Sequence, residues 1–419
     1  MDQGSFAFLN ERLQSRVNRV EERLSVVPSG RGDHFIELAR DLIAGAEAKR
    51  QDVLSQFPSA TDAEKAIHVR TLLRLLGEID VFDLLSPYFS GVGRRDLPAG
   101  LVQLIDELIA ELLPNRADPV IHLDEQYMYS TLDLVRLLSA SLTSLGVTFS
   151  GSRAPVAFSL PANDPSNAFL TPILAHEVGH VAVNQANLGS EVLSRTDQKV
   201  LNDLFKDCLQ QANQTDPLPW QIQFVGWIDE LLCDALATAL TGPSYLFASA
   251  AFLPAPELGE TGSHPFPADR IELTLSQLDD LGWSKLLQEK TPQVVAWLKS
   301  IEQPPDPSDH LERFLRGAVK LVAPAIGEVA KQHVSTPLNA ADAERLLPSL
   351  SEHYAVGVPP VQLEGKAVSS WLILLGAWLH QFQRHGDQPA TVAIAIDDNQ
   401  LSDFVIKAVE MSRISEAWS

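Results

Sequence analysis

The sequence His176-Glu177-Val178-Gly179-His180 places two histidines four residues apart, with a glutamate next to the first. On an α-helix, residues i and i+4 lie on the same face, so both imidazoles can reach one metal ion. A carboxylate at the position of Glu177 can take a proton from a water molecule bound to that metal. The stretch therefore predicts a helix that carries two metal ligands and a general base.

A third ligand has to come from another part of the chain, and the helix predicted for residues 221–240 offers one. Glu230 and Asp234 are again four residues apart and have apolar neighbours, where two unpaired carboxylates would be costly to bury. We predict that Glu230 binds the metal and that Asp234 accepts the free N–H of one metal-bound histidine, fixing its tautomer. The alternative is that both carboxylates lie on an exposed helix edge.

A third motif follows at residues 263–271, with the sequence Ser-His-Pro-Phe-Pro-Ala-Asp-Arg-Ile. The ordered series His-Glu-x-x-His, Glu-x-x-x-Asp and His-Pro-x-x-x-x-Arg-Ile resembles the gluzincin zinc metallopeptidases. The greatest similarity is to the group of the CaaX prenyl proteases and the HtpX-type peptidases. The resemblance covers about residues 155–275.

This resemblance implies a role for each matching residue. One zinc ion would be held by three side chains: His176, His180 and Glu230. Glu177 would be the general base in peptide-bond hydrolysis, and Asp234 would accept a hydrogen bond from one of the metal-binding histidines. His264 would lie near the substrate carbonyl as a donor to the oxyanion. Arg270 would hold its segment against the ligand helices, although a surface arginine is the alternative.

The chain departs from that group in three ways. The best-known members are embedded in membranes, whereas this sequence has no spanning segment. Cys233 stands where the group often has alanine, and one position before Asp234 it points about 100° away around the helix, so we assign it to packing. A polar helical insert at 190–216 separates His180 from Glu230 and could cover the cleft.

Three further residues are candidates for substrate contact. Val156 and Phe158 fall in the stretch 155–160, which predicts a strand, and an extended peptide could pair with that strand at the edge of the cleft. Tyr245 follows a Gly-Pro break after the ligand helix and could donate to an oxyanion, but we favour core packing. The exopeptidase signature Gly-x-Met-Glu-Asn is missing, which favours an endopeptidase.

The remaining sequence predicts helices and a small sheet. Apolar residues recur at three- and four-residue steps over 5–114, and Thr61-Asp62-Ala63-Glu64 is a capping box. Residues 146–149 predict another short strand, and the proline-rich stretch 302–307 predicts a linker. We expect a mainly α (α+β) protein with three regions: a helical region at 1–145, a zincin-like metallopeptidase core at 146–302 and a helical region at 303–419.

The charge and the cysteine content of the chain limit the partners and the cellular compartment that we expect. The 32 basic and 54 acidic residues give a net charge of −22, which disfavours nucleic acid and anionic membranes as partners. Two cysteines, Cys208 and Cys233, are too few for disulfide bonds to stabilise a chain of 419 residues, which indicates a reducing compartment. The N-terminus has no signal-peptide pattern. We expect a cytoplasmic protein whose partner is a peptide or protein substrate.

Two other functions stay open at this stage. The chain could hold zinc and yet be catalytically silent, as a regulatory scaffold that binds a protein partner through its helical flanks. A structural site has no use for Glu177, however, and usually fills its fourth position with protein. The third and weakest interpretation is a metal-free helical adaptor.

Overall fold

The computed structural model describes nine stretches of the chain: residues 3–25, 33–84, 97–113, 117–124, 130–149, 154–161, 166–252, 264–301 and 309–418. Within them the protein is mainly helical and has a small mixed sheet, as the sequence predicts. No helix in these stretches combines the length and the apolar character needed to cross a membrane. The predicted linker at 302–307 lies outside the described residues.

The elements are numbered in chain order. The helices are α1 (Gln3–Ser25), α2 (Asp33–Gln56), α3 (Asp62–Leu84), α4 (Ala99–Leu112), α5 (Leu134–Leu137), α6 (Ser139–Leu145), α7 (Thr171–Ala186), α8 (Leu188–Arg195), α9 (Gln198–Gln211), α10 (Leu218–Thr241), α11 (Pro243–Phe252), α12 (Pro267–Asp280), α13 (Ser284–Lys290), α14 (Pro292–Lys299), α15 (His310–His333), α16 (Ala340–Val356), α17 (Ser370–His385), α18 (Pro389–Ile396) and α19 (Asn399–Trp418). The strands are β1 (Ala117–Asp124), β2 (Ser130–Asp133), β3 (Ala154–Pro161), β4 (Gln362–Leu363) and β5 (Lys366–Ala367).

Contacts divide the chain into two compact units. One comprises Met1–Asp96 and Pro114–Pro165, and the other comprises Leu97–Leu113 and Ser166–Ser419. Strand β3 therefore clusters with the N-terminal helices, whereas the division expected from the sequence placed it with the ligand helices. Helix α4 clusters with the C-terminal part because it packs against α7 and α19.

The first unit joins the long helices α1–α3 to a sheet of order β1-β3-β2. The capping box before α3 is confirmed: Thr61 Oγ1 accepts from the Glu64 amide, and a Glu64 carboxylate oxygen accepts from the Thr61 amide. The strand predicted at 155–160 is confirmed as β3. The strand predicted at 146–149 is wrong, because Gly146 (φ 69°) ends α6 and the Val147 amide bonds back to the Leu142 carbonyl.

Strand β3 is the central strand of this sheet. It pairs in parallel with β1 along its whole length and antiparallel with β2 from residue 156 to 159. Val156 and Phe158 are fully buried between these neighbours. Since both hydrogen-bonding edges are occupied at these residues, the prediction of an edge strand that pairs with a substrate peptide through Val156 and Phe158 is wrong.

Helix α10 is the central element of the second unit, packed against α7, α12 and α15. Every residue from Glu230 to Thr241 is buried, and Glu230, Asp234 and Thr238 form a polar row at four-residue steps on this otherwise mostly apolar half of the helix. Helix α7 begins at Thr171, with Pro172 in its first turn, where proline is favoured. The crossing of α7 and α10 positions the candidate site.

Candidate metal centre

The two ligand helices come unusually close at a glycine. A Cβ atom added to Gly179 would lie 3.1 Å from Cα and 3.2 Å from Cβ of Cys233. Any larger residue at position 179 would push α7 away from α10. Because the backbones approach here, His176 and His180 of α7 face Glu230 and Asp234 of α10 across the crossing.

Three side chains at this crossing form a group with metal-binding geometry. One ligand atom from each of His176, His180 and Glu230 lies within 4.8 Å of the other two. Nε2 of His176 is 3.5 Å from one oxygen of Glu230, and Nε2 of His180 is 3.6 Å from the other. Ligands at the usual zinc distances in a tetrahedron are about 3.3 Å apart, so these two spacings fit a zinc ion.

The chemistry of Glu230 also fits a cation. Glu230 is 8% exposed, and its Oε2 atom is buried without a hydrogen-bond partner. Burial raises the pKa of this carboxyl, but the nearby His176 ring and the Arg270 charge outweigh burial and lower it, so the group is ionised. A buried anionic oxygen without a donor is what an ion held between Glu230 and the histidines would satisfy.

Asp234 binds the second ring nitrogen of His176, Nδ1. It is 2% exposed and accepts hydrogen bonds from Nδ1 of His176 (2.8 Å), from Nε and Nη2 of Arg270 (2.7 and 2.6 Å) and from the Tyr245 hydroxyl. Although burial acts to raise the pKa of Asp234, the Arg270 charge and these hydrogen bonds hold it well below its usual range. An ionised Asp234 keeps a proton on Nδ1 of His176 and directs Nε2 toward Glu230.

The two histidines differ in their protonation. Burial acts to lower the pKa of His176, but its hydrogen bond to Asp234 and the nearby carboxylate of Glu230 outweigh burial and raise it to about 9. Burial and the charge of His176 lower the pKa of His180 to about 4. In the metal-free protein at neutral pH, His180 is therefore neutral, while His176 carries the proton that a metal would have to displace.

Glu177 adjoins the ligand group without belonging to it. Its side chain is half-buried, and this burial raises the pKa of its carboxyl to about 7. A carboxyl with a pKa near neutrality can both accept and release a proton at physiological pH. The role of Glu177 as a general base stays a prediction.

The segment predicted to reach the site from downstream does so. Nε2 of His264 lies 3.4 Å from Oε1 of Glu230, on a side chain that is 60% exposed. Phe266 anchors the segment: its ring meets Trp227 edge-on at 6.0 Å and lies under the Arg316 guanidinium. Arg270 is largely buried against Asp234, so the alternative of an ordinary surface arginine is wrong.

Two side chains have contacts that the sequence did not indicate. Tyr245 is 2% exposed and stacks on His176 at 6.3 Å, but its hydroxyl donates to Asp234. It therefore supports a carboxylate as well as packing, and a role as oxyanion donor is excluded by this bond. Cys233, assigned to packing, also places Sγ 3.3 Å from Nδ1 of His180. Burial raises the pKa of its thiol well above the usual value.

The polar insert at 190–216 folds into helices α8 and α9, and both pack on α15. The apolar face of α9 meets α15 through an aromatic cluster of four residues: Phe205, Trp220, Phe224 and Phe314. Arg195 of α8 bonds to Gln332 at the other end of α15. The insert is thus an integral part of the second unit.

No model of a known protein family matches this chain, and no curated protein or solved structure matches it either. The geometry of the His176, His180 and Glu230 group therefore has to support any assignment of function by itself.

Proposed function

We propose that this protein is a zinc-dependent peptidase of the gluzincin type, with a zincin-like core formed around α7 and α10. The observation that carries the proposal is the group of His176, His180 and Glu230, in which a buried carboxylate oxygen lacks a donor and a half-buried Glu177 adjoins the ligands. A purely structural metal site has no need of such an additional acidic residue.

When bound, zinc lowers the pKa of a coordinated water and polarises the scissile carbonyl. Glu177 takes a proton from the attacking water and passes it to the leaving amine, a cycle that its pKa of about 7 permits near neutral pH. Asp234 holds His176 in one tautomer throughout, and Arg270 and Tyr245 hold Asp234.

His264 supplies a polar group at the mouth of the site. It is the most exposed of the side chains that contact Glu230, and Pro265 restricts the backbone that carries it. In the proposal, its ring donates a hydrogen bond to the oxygen of the substrate carbonyl as negative charge develops there. Cleavage within a chain is favoured over removal of a terminal residue, as the sequence motifs suggest.

A second candidate is a zinc protein that is catalytically silent. The contact between Nε2 of His264 and Oε1 of Glu230, at 3.4 Å, favours it, because a small inward movement of this histidine would add a fourth protein ligand. Such a closed site would stabilise a helical scaffold and leave no position for water. Partner binding through the helical flanks would then be the function.

The two candidates separate in a peptide-library experiment read by mass spectrometry. The parent protein is expected to cleave a subset of peptides, and Glu177→Gln is expected to retain one zinc ion but to lose about 10²- to 10⁴-fold in rate, the usual contribution of a general base. Glu272→Gln, an exposed position on α12, is the matched control and should cleave like the parent.

Either of two results would contradict the peptidase. Equal rates of cleavage by the parent and by Glu177→Gln would show that Glu177 is not the general base. A zinc-loaded parent that cleaves nothing, together with His264→Ala losing zinc as completely as His180→Ala, would favour the silent protein with a closed site.

A further inference from the structure

The second ring nitrogen of each ligand histidine has a different partner. Nδ1 of His176 faces the carboxylate of Asp234, whereas Nδ1 of His180 lies 3.3 Å from Sγ of Cys233. From this contact we infer that Cys233 is a positioning residue for His180: the sulfur accepts the Nδ1–H and thereby presents Nε2 to the metal. The inference rests on the zinc centre of the proposed function.

The geometry around His180 supports this role from both sides of the ring. Nε2 lies 3.6 Å from Oε1 of Glu230, and the companion oxygen of that carboxylate is buried and lacks a hydrogen-bond partner. One nitrogen of the ring thus faces the ligand group and the other faces the thiol. An imidazole that binds a metal through Nε2 keeps its proton on Nδ1, and a buried N–H needs an acceptor.

The close approach of the helices explains why this partner is a cysteine. A Cβ at Gly179 would lie 3.3 Å from the Cys233 sulfur, so the space between α7 and α10 at this position admits a small side chain only. A thiol also adds no negative charge to a cluster that already contains Glu177, Glu230 and Asp234. Because sulfur is a weak acceptor, it should hold His180 less firmly than a carboxylate holds His176.

The test compares Cys233→Ala and Cys233→Ser with the parent protein, and uses Cys208→Ala as the matched control at the other buried cysteine. Zinc affinity is measured by competition with a chelator, and the His180 tautomer in the zinc-bound protein by ¹⁵N NMR. Cys233→Ala is expected to weaken zinc binding about tenfold and to lose the ordered Nδ1–H signal. Cys233→Ser should fall between Cys233→Ala and the parent, and Cys208→Ala should bind like the parent.

Several results would overturn the role. Cys233→Ala that binds zinc as tightly as the parent, with the same His180 tautomer, shows that the sulfur positions nothing. A sulfur-to-metal charge-transfer band in the cobalt-substituted parent would make Cys233 a ligand instead. If Cys233→Ala does not fold, the test rests on Cys233→Ser. A zinc affinity and a His180 tautomer in Cys233→Ser equal to those of the parent would then also overturn the role.

The failure of this inference is distinguishable from the failure of the zinc centre. A parent protein that binds no zinc contradicts both. Zinc binding that is abolished in Glu230→Gln but unchanged in Cys233→Ala leaves the zinc centre in place and removes only the positioning role.

Discussion

His176 and His180 stand one turn apart on the same helix and face the same carboxylate, yet their surroundings differ. The side chain of His176 is 8% exposed and is held by Asp234, which Arg270 and Tyr245 hold in turn. The side chain of His180 is 31% exposed and meets only a thiol at its second nitrogen. One ligand is therefore fixed by a buried ionic network, and the other is held weakly and lies closer to solvent.

This difference suggests a division of roles within one site. On the fixed side, Asp234 orients His176, which is protonated in the metal-free protein. On the weaker side, His180 is neutral and can bind a metal without losing a proton. Three substitutions and a change of pH test this difference.

Asp234→Asn should have the largest effect, because it breaks the fixed side. It leaves the buried Arg270 charge without its carboxylate, and losing one partner of a buried pair typically costs about 3 to 5 kcal/mol of unfolding free energy. Zinc affinity should fall about 100-fold, as the His176 tautomer is no longer set. Denaturant unfolding and chelator competition measure both quantities. Asp203→Asn, at an exposed position on α9, should change neither.

The pH dependence of zinc binding should report the proton on His176. Since its pKa in the metal-free protein is raised to about 9, zinc displaces close to one proton at pH 7, and affinity should rise about tenfold per pH unit toward pH 9. Calorimetry in buffers of different ionisation enthalpy counts the protons released. Affinity that is constant between pH 6 and 8 would contradict the protonated state.

The same pKa shift predicts the opposite trend for the metal-free protein. A histidine whose pKa is raised on folding contributes stability that is complete below its ordinary value of 6.5 and is lost as the pH rises through about 9. The unfolding free energy of the metal-free protein should therefore decrease over this range, while that of the zinc-bound protein should not.

Gly179→Ala should disturb both sides together, because the new Cβ meets the backbone of Cys233 at 3.1 Å. Overpacking of this kind costs about 1 to 3 kcal/mol, and the shift of α7 should lower zinc affinity as well. Gly327→Ala on α15, where a Cβ meets nothing within 4 Å, is the matched control and should be neutral or slightly stabilising. If both variants unfold like the parent, the close crossing is not what fixes the site.

Tyr245→Phe should give the smallest change. It removes one of the donors to Asp234 and leaves the Arg270 contacts and the stacking on His176. We expect a loss of about 1 to 2 kcal/mol in unfolding free energy and a few-fold loss of zinc affinity. An effect as large as that of Asp234→Asn would show that the hydroxyl, rather than Arg270, controls the carboxylate.

Local spacing predicted that His176 and His180 share a face of one helix and that Glu230 and Asp234 share a face of another, because each pair lies one turn apart. That these two faces meet depends on the crossing of α7 and α10. Tyr245 could not be placed from spacing, since its return to Asp234 depends on the turn at Gly242 (φ 60°) between α10 and α11. The contact of Cys233 with His180 depends on how closely the helices cross.

The partner strands of β3 were not predicted, for a different reason. Strand β1 pairs in parallel with β3, which follows it by more than thirty residues in the sequence. A local sequence pattern does not indicate a partner strand at that separation. The short run at 147–149 has strand-like residues, but the backbone of Gly146 and Val147 completes the end of α6 instead. Whether β3 is central or at an edge depends on both partners, so the substrate role of Val156 and Phe158 could not be judged from their own segment.

X-ray absorption at the zinc edge of the purified, metal-loaded protein tests whether His176, His180 and Glu230 hold zinc. We expect one zinc ion per chain, with two imidazole nitrogens and carboxylate or water oxygens at about 2.0 to 2.2 Å, and no sulfur at about 2.3 Å. A sulfur ligand, or zinc that remains bound at the same stoichiometry in His176→Ala with Glu230→Gln, would contradict it.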